Sequence, residues 1–554
     1  MELPHRVVAG LTAFTVAVAV ALAAVLATPA SAAVEPQRPA SYTEPPRFFD
    51  RSAREIERIA ARAEKVRESR RDGALDPTAY TKGTGRWQVS FFRDDEEVVQ
   101  VHVDDRSGAI LEQWTGDQVA WTMARGYEGA FARKLNAPYV WIPLCILFIA
   151  PFFDLRRPFR LLHLDLLVLL AFGVSHVFFN RGEIGVSVPL VYPVLLYLLG
   201  RLVFAGFRPR ERAGALLPHV PLMALAVGLA FLVAFRVGLN VADSNVIDVG
   251  YAGVIGADRI VDGDPLYGEG FSDDVERGDT YGPVNYLVYV PFEQALPWSG
   301  RWDDLPAAHG AALAVDLLAI GGLFLLGGRL RPGREGTALG LALAYGWAAY
   351  PYTAFVLESN ANDSLVALAC VGTLLAFTMA RRELSGLLGG AAIALGTATK
   401  FVMLALAPLF ARRAPLVFGA ALALVLAAVV LPFVPEGGLR EMYDRTIGYQ
   451  ASRPSPFSVW GQVESLDWLQ LAVKLGAAGF ALLVFFVPRR AGPREVAALG
   501  GAVLIAVQLT AGHWFYLYIV WFVPFVLVAL FAAHRPLPAA RPRAPEPERE
   551  LVHV

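Results

Sequence analysis

Cysteine is nearly absent from this chain: 2 in 554 residues, Cys145 and Cys370. They stand far apart, inside apolar runs. No disulfide framework and no thiolate metal site can be built from them, and each reads as a small buried hydrophobe. Charge is scarce too, at 18% of residues against 55% hydrophobic. The formal net charge of −1 lacks the basic excess that marks a nucleic-acid binder, so no nucleic-acid partner is expected. No internal repeat is visible. A mean hydropathy of +0.45 is high for a soluble chain, and many runs approach the length that crosses a bilayer. The chain reads as a polytopic membrane protein with the lipid bilayer as its first partner.

The amino end, "MELPHR", carries a weak positive charge. Residues 7–27 are apolar, and Ala30-Ser31-Ala32 offers a small-x-small cleavage site. Residues 1–33 therefore read as an export signal or an uncleaved anchor, which puts the next segment outside the cytoplasm. That segment, residues 34–136, is polar enough for a soluble domain. Ile56, Ile59, Ala60, Ala63 and Val66 share one helix face. Val99, Val101 and Val103 alternate as in a strand, and "DDRSG" marks a hairpin turn before 109–114. His102 is expected on the solvated face of that strand. A helix followed by a small antiparallel sheet resembles a PepSY domain, which implies a small extracytoplasmic α+β module. No catalytic constellation is visible in it.

Spans are expected at 138–153, 161–179, 186–206, 215–236, 306–328, 337–356, 364–380, 415–434, 467–487, 495–511 and 513–533. Arginines fix their orientation. Arg156, Arg157 and Arg160 form one cluster, and Arg208, Arg210 and Arg212 another. Arg329, Arg331 and Arg334, then Arg381 and Arg382, then Arg412 and Arg413, then Arg489, Arg490 and Arg494 follow. All can face the cytoplasm together, with the tail 536–554 inside and disordered. Two segments resist this scheme. Residues 281–298 are bounded by prolines and carry Asn285 and Glu293; they are expected to lie at the outer interface. Residues 382–412 are too long for one span and too short for two, so a hairpin is expected, its tip in the membrane near Lys400. Such an ammonium calls for a partner, and a lipid phosphate is the expected one. Asp165 and Asp316 fall within spans and call for partners that the sequence does not name. His163 and His176 are expected to pack inside the upstream spans.

The acidic stretch "LNVADSNVIDVGY" (239–251) follows an apolar run. Asp248, Tyr251, "GDPLYG" with Tyr267, and "TYGPVNYLVYVPF" with Tyr281 come in order. "ESNANDSLVALACVGTLLAF", "ALGTATKFVMLALAPLF", "IGYQASRPSPFSVWG" and "GHWFYLYIVWFVPF" come after them. That order resembles the GT-C glycosyltransferases, and among them glycosyltransferase family 87, the polyprenyl-phosphate-mannose-dependent mannosyltransferases. The resemblance covers residues 215–535. It implies a mostly α, polytopic transmembrane helical bundle of GT-C type, with residues 137–214 as accessory spans and the PepSY-like domain outside the usual core. The implied activity is inverting transfer of a sugar, mannose foremost, from a polyprenyl-phosphate donor to a cell-envelope glycan or glycolipid acceptor. A phosphate leaving group needs no proton, so the acceptor hydroxyl needs only one carboxylate as base. Asp248 takes that role, with Asp243 as runner-up. Asp258, Asp262 and Asp264 read as a solvated face and a turn. Tyr251, Tyr267, Tyr281, Trp460, Trp514 and Tyr516 offer flat faces to the sugar. Asn362 and Asp363 read equally as a helix cap and as a polar cavity wall. Arg453 is a loop charge or a phosphate clamp, and His513 an interfacial histidine or a donor. No cofactor is called for; the loop lacks a tight Asp-x-Asp, and a divalent metal is left open. Two rivals remain. One is a transporter or flippase of lipid-linked sugars; the other is a non-enzymatic, envelope-sensing membrane protein.

Overall fold

A computed structural model describes residues 36–535 apart from 127–130, 211, 269–270, 272–274, 276, 301–304 and 454. The expected signal at 1–33 and the tail at 536–554 lie outside the described residues.

The N-terminal unit forms where two periodicities meet. Helices α1 (Ala53–Ala60) and α2 (Glu64–Ser69) precede strands β1 (Asp76–Thr81), β2 (Arg86–Arg93), β3 (Glu96–Asp104) and β4 (Ile110–Thr115). The strands form one antiparallel sheet in the order β1-β2-β3-β4. Ile56, Ala60, Ala63 and Val66 pack on Val89, Phe91, Val99, Val101 and Val103, all buried. The alternation of β3 thus delivers its valines to one side, as the period of 2 requires. His102 departs from expectation. Residues Asp117–Ala120 pack against β3, so the second face is covered as well. His102 is buried, with Nδ1 2.9 Å from Glu112 Oε2.

The rest is helical but for a two-residue parallel pairing of Arg212–Ala213 with His534–Arg535. Among the described residues, six helices are long and apolar enough to cross a membrane, by length and composition. They are α3 (Leu161–Phe179), α4 (Ile184–Phe207), α5 (Leu222–Asp243), a helix at Pro306–Leu330, one at Pro415–Phe433 and one at Asp467–Phe486. Several expected spans come out shorter. The segment expected at 138–153 is helical over Pro138–Ile149, and the one at 513–533 over Ile519–Phe531. The expected span 337–356 is two helices, Gly333–Ala349 and Pro351–Glu358. They break at Pro351, which cannot donate to the helix ladder and holds Tyr350 extended. The segment 281–298 is two short helices, Pro283–Leu287 and Val290–Ala295. The segment 382–412 runs as a helix over Arg382–Thr397 and then turns back through Phe401–Leu406 and Ala407–Ala411. Gly396 packs against Met403 across that turn, and Lys400 stands at its tip.

The span expected at 215–236 is displaced. Pro218 and Pro221 delay the helix start to Leu222, and the helix continues past Arg236 to Asp243. Arg236 can lie inside because its charge is met. It is fully buried, with Nη2 2.5 Å and Nε 3.1 Å from the two carboxylate oxygens of Asp316. Trp347 Nε1 donates to the same carboxylate at 2.9 Å. Asp165 is paired likewise, by Arg201 Nε at 2.9 Å and the Tyr197 hydroxyl at 2.8 Å. His163 and His176 pack inside, as expected. His163 stacks on Phe153, and His176 stacks on Tyr516 with the Tyr352 ring beside both.

Loops gather at two ends of the bundle. At one, the arginine-bearing loops hold one another. Arg160 donates to the Ala215 carbonyl and meets His534, and Arg331 donates to the carbonyls of Ala532 and His534. Arg494 donates to the Arg210 carbonyl, Arg412 to that of Pro488, and Arg413 to that of Met379. The other end collects the polar segments 131–136, 243–248, 279–285, 358–363, 398–400, 445–453 and 455–460.

Candidate active site

Asp248 opens helix α6 (Asp248–Asp262). The segment before it, 244–247, is extended and pairs with the turn at 358–360. Asn245 N–H donates to the Glu358 carbonyl at 3.1 Å, and Ile247 N–H to that of Ser359 at 3.2 Å. Asn360 Nδ2 donates to Ser244 Oγ at 3.0 Å and to the Asn245 carbonyl at 2.8 Å. Gly250 then lets the first turn of α6 lie against this backbone. A Cβ there would sit 2.5 Å from the Asn360 carbonyl oxygen. These bonds bring Asp248 and Asp363 to one place.

A second turn is held as tightly. Gly282 N–H donates to the Thr399 carbonyl at 3.4 Å, and Val284 N–H to that of Ala398 at 3.0 Å. A Cβ at Gly282 would fall 2.1 Å from the Ala398 oxygen, so only glycine permits the approach. Tyr281 is thereby laid on Lys400. The Arg453 loop is tied to the same place by Arg445 on Asp279 at 2.9 Å and Gln450 on Thr280 at 3.1 Å.

The result is one cavity of about 740 Å³. Asp248, Tyr281, Asp363, Lys400, Arg453 and His513 all line it. These six come from well-separated stretches of sequence and were each singled out there. Asp248 is accessible, but what it meets is the cavity. Burial by the surrounding walls pushes its carboxyl above the usual aspartate range. The Val249 N–H, 2.9 Å from Oδ1, and the Arg453 and Lys400 charges pull the other way, and Asp363 adds to the rise. Burial, with Arg453 and Lys400 nearby, pushes the His513 imidazole down to about 3. It is therefore neutral at ordinary pH, and Ser455 Oγ holds its Nδ1 at 2.8 Å. Burial also pushes the Tyr281 phenol well up, so it stays protonated.

Lys400 already has a partner. Its Nζ lies 2.6 Å from Asp363 Oδ1, and the rings of Tyr281, Tyr518 and Trp521 stand 5.4, 5.5 and 5.4 Å from it. Trp521 Nε1 donates to the same Oδ1 at 2.8 Å. A lipid phosphate was the expected partner of this ammonium; within the protein its partner is Asp363. An ammonium has three donors, however, and Asp363 takes one. Arg453 is half-buried and, among the described residues, has no ion-pair partner.

Other expected residues lie elsewhere. Asp243 is the last residue of α5, and Lys134 Nζ sits 3.1 Å from it. Tyr251 is buried against Trp298. Tyr267 is buried, and its hydroxyl donates to the Tyr281 carbonyl at 2.8 Å, so it supports a lining residue. Asn362 is buried on Asn285, its Nδ2 2.5 Å from Asn285 Oδ1. Trp460 and Trp514 are buried in the bundle, donating to Leu509 and Gln508. Tyr516 bonds Ser175 and Ser187 of α3 and α4. Asp258 and Asp262 fall on the far end of α6; ten residues of helix extend ~15 Å. The sequence did not single out His309, Trp121, Phe131 or Arg133, which also line the cavity. His309 Nδ1 lies 3.1 Å from Asn240 Oδ1. Among the described residues no group of three or more His, Cys, Asp or Glu could hold a metal ion.

No protein-family model, curated protein or solved structure matches the chain.

Proposed function

We propose that the chain is an integral-membrane, inverting glycosyltransferase of the GT-C type. It moves a sugar, mannose foremost, from a polyprenyl phosphate to an acceptor outside the cytoplasm. The observation that carries this reading is the single cavity shared by Asp248, Tyr281, Asp363, Lys400, Arg453 and His513. A carboxylate, unpaired cationic donors and an aromatic face are what the transfer requires. The acceptor hydroxyl gives its proton to Asp248 as its oxygen attacks the anomeric carbon. The bond from that carbon to the phosphate oxygen breaks, and the phosphate leaves with the electron pair. Arg453 and the remaining Lys400 donors face the charge that develops there. The raised carboxyl of Asp248 is the stronger base for it. Attack opposite the leaving group inverts the anomeric centre, and no second carboxylate has to bond the sugar.

The bilayer supplies the donor. The six membrane-length helices and the cavity at one end of the bundle suit a lipid whose head group enters from the side. The PepSY-like N-terminal unit sits on the acceptor side. A flippase would carry its site near mid-membrane between repeated halves, and neither feature supports it here. The test is turnover of polyprenyl-phosphate-mannose by the purified full chain in detergent, with Asp248→Asn as control. A wild-type rate no higher than that of Asp248→Asn would refute the reading.

A further inference from the structure

The resemblance to the glycosyltransferases begins at residue 215, yet one wall of the cavity comes from far upstream. Trp121, Met123, Phe131 and Arg133, from the segment joining the N-terminal sheet to the first apolar helix, line the same space as Asp248. This segment is held at several points. Trp121 meets Phe457 edge-on at 4.8 Å, and Phe131 meets Phe515 at 6.1 Å. Asn245 Oδ1 accepts from Ala132 N–H at 2.9 Å, and Asp243 Oδ2 from Lys134 N–H at 3.1 Å. Asn136 Nδ2 donates to the Phe131 carbonyl at 2.5 Å.

The backbone so held is a costly one. Ala132 and Arg133 have φ of 58° and 35°, a left-handed pair that residues with a Cβ avoid. Such strain persists only where the surroundings over-determine it. Here Asp243 and Asn245, which lie just ahead of Asp248, do so. What the strain delivers is an exposed guanidinium in the cavity wall. Among the described residues Arg133 has no ion-pair partner. Arg453, Lys400 and Asp363 are the leading charges on Asp248, and Arg133 is a further cation lining the same cavity.

We propose that this wall is the acceptor subsite. Arg133 binds a negatively charged group, carboxylate or phosphate, on a saccharide acceptor, and Trp121 offers its indole to the sugar face. Asp243 and Asn245 are positioning residues that hold the wall across from the base. The proposal rests on the glycosyltransferase reading for the word acceptor. As a site for an anionic saccharide it stands on the cavity alone.

The experiment uses the full chain in detergent and three probes: farnesyl phosphate, glucuronic acid and methyl α-mannoside. Saccharide binding is measured in the presence of farnesyl phosphate, which occupies the inner cations. One charge-assisted contact corresponds to ~10-fold in affinity or more. Wild type should therefore bind glucuronic acid more tightly than the neutral glycoside by about that factor. Arg133→Gln should abolish the preference, and Arg133→Lys should keep part of it. Asn245→Ala, with Arg133 intact, should weaken it. Farnesyl phosphate binding should fall in Arg453→Gln and not in Arg133→Gln. If glucuronic acid binds no better than the glycoside, or equally well to a monodisperse Arg133→Gln protein, the acceptor wall is refuted while the donor reading stands. If instead farnesyl phosphate does not bind but the Arg133-dependent preference is present, the donor reading fails and the anionic-saccharide site survives.

Discussion

Lys400 and Asp363 meet at 2.6 Å with side-chain exposures of 11% and 1%, and this asymmetry can be measured. Lys400→Met leaves Asp363 as a buried charge whose remaining partner is Trp521 Nε1. Among the described residues, Asp363 Oδ2 has no hydrogen-bond partner even in the intact pair. Stripping one member from a buried pair costs ~3–5 kcal/mol. Asp363→Asn is gentler. Its amide oxygen still accepts from Trp521, and the ammonium keeps three aromatic faces, each worth ~0.5–2 kcal/mol, together with access to the cavity. A loss of ~1–2 kcal/mol is expected. The double variant Lys400→Met/Asp363→Asn removes the stranded charge. It should be more stable than Lys400→Met alone, with a coupling of ~2 kcal/mol. Thermal unfolding of the purified full-length variants in one detergent reads the order directly. Lys400→Met should melt lowest, and the double variant above it. Equal melting of Lys400→Met and wild type, or strictly additive losses, would refute the pairing. The order also bears on function. Lys400→Met loses donor binding through instability as well as chemistry, so only the double variant isolates the contribution of the ammonium to the donor.

The remaining expectations need different assays. Because Asp248 is raised by burial, turnover should fall as pH drops through a value above the usual aspartate range; Arg453→Gln removes a charge that lowers it, so the acid limb should move to higher pH, and a downward move would contradict the geometry. His513, pushed down to about 3, should add no break at ordinary pH. Cysteines introduced at Arg157 and Arg489 should resist a membrane-impermeant reagent while those at Ser107 and Glu436 react, and labelling at Arg489 would overturn the assignment of sides. Asp316→Asn strands Arg236 and should lower stability by ~3–5 kcal/mol, whereas the paired Arg236→Met/Asp316→Leu should recover much of it; an equal loss in both would argue against a buried ion pair.

What the sequence made legible came from local rules. The alternation at Val99, Val101 and Val103 needs only its own strand, and the helix face of Ile56, Ala60 and Val66 only its own turns. The arginine clusters were legible as a group because each is read separately by the same rule, and their loops do lie together. What stayed hidden depends on partners far along the chain. Arg236 looked like the end of a span because Asp316 is distant in sequence. The aromatic residues Trp460, Trp514 and Tyr516 were placed at the sugar by type and position. Type does not tell which way a ring points, and all three face inward. The wall residues Trp121, Met123, Phe131 and Arg133 carry no motif at all. They become part of the site only when the chain closes on itself, and the left-handed pair at Ala132 and Arg133 gives no signal without a glycine to mark it.

The two carboxylates of "LNVADSNVIDVGY" show how little sequence separation says about role. Asp243 and Asp248 are close in sequence, and either suits a base by residue type. Between them the chain leaves one helix, runs extended and enters another. Four extended residues span ~13 Å, and pairing with the turn at Glu358 and Ser359 fixes their direction. Asp243 therefore ends beside Lys134, bound by its ammonium and its N–H. Asp248 ends in the cavity, with Arg453 and Lys400 as its counter-charges. Asp243 is thus engaged by a lysine and a backbone donor, whereas Asp248, raised by burial, is open to a ligand. The turn at 358–360 does more than join two helices: it sends one aspartate to hold the wall and the other to face what the wall encloses.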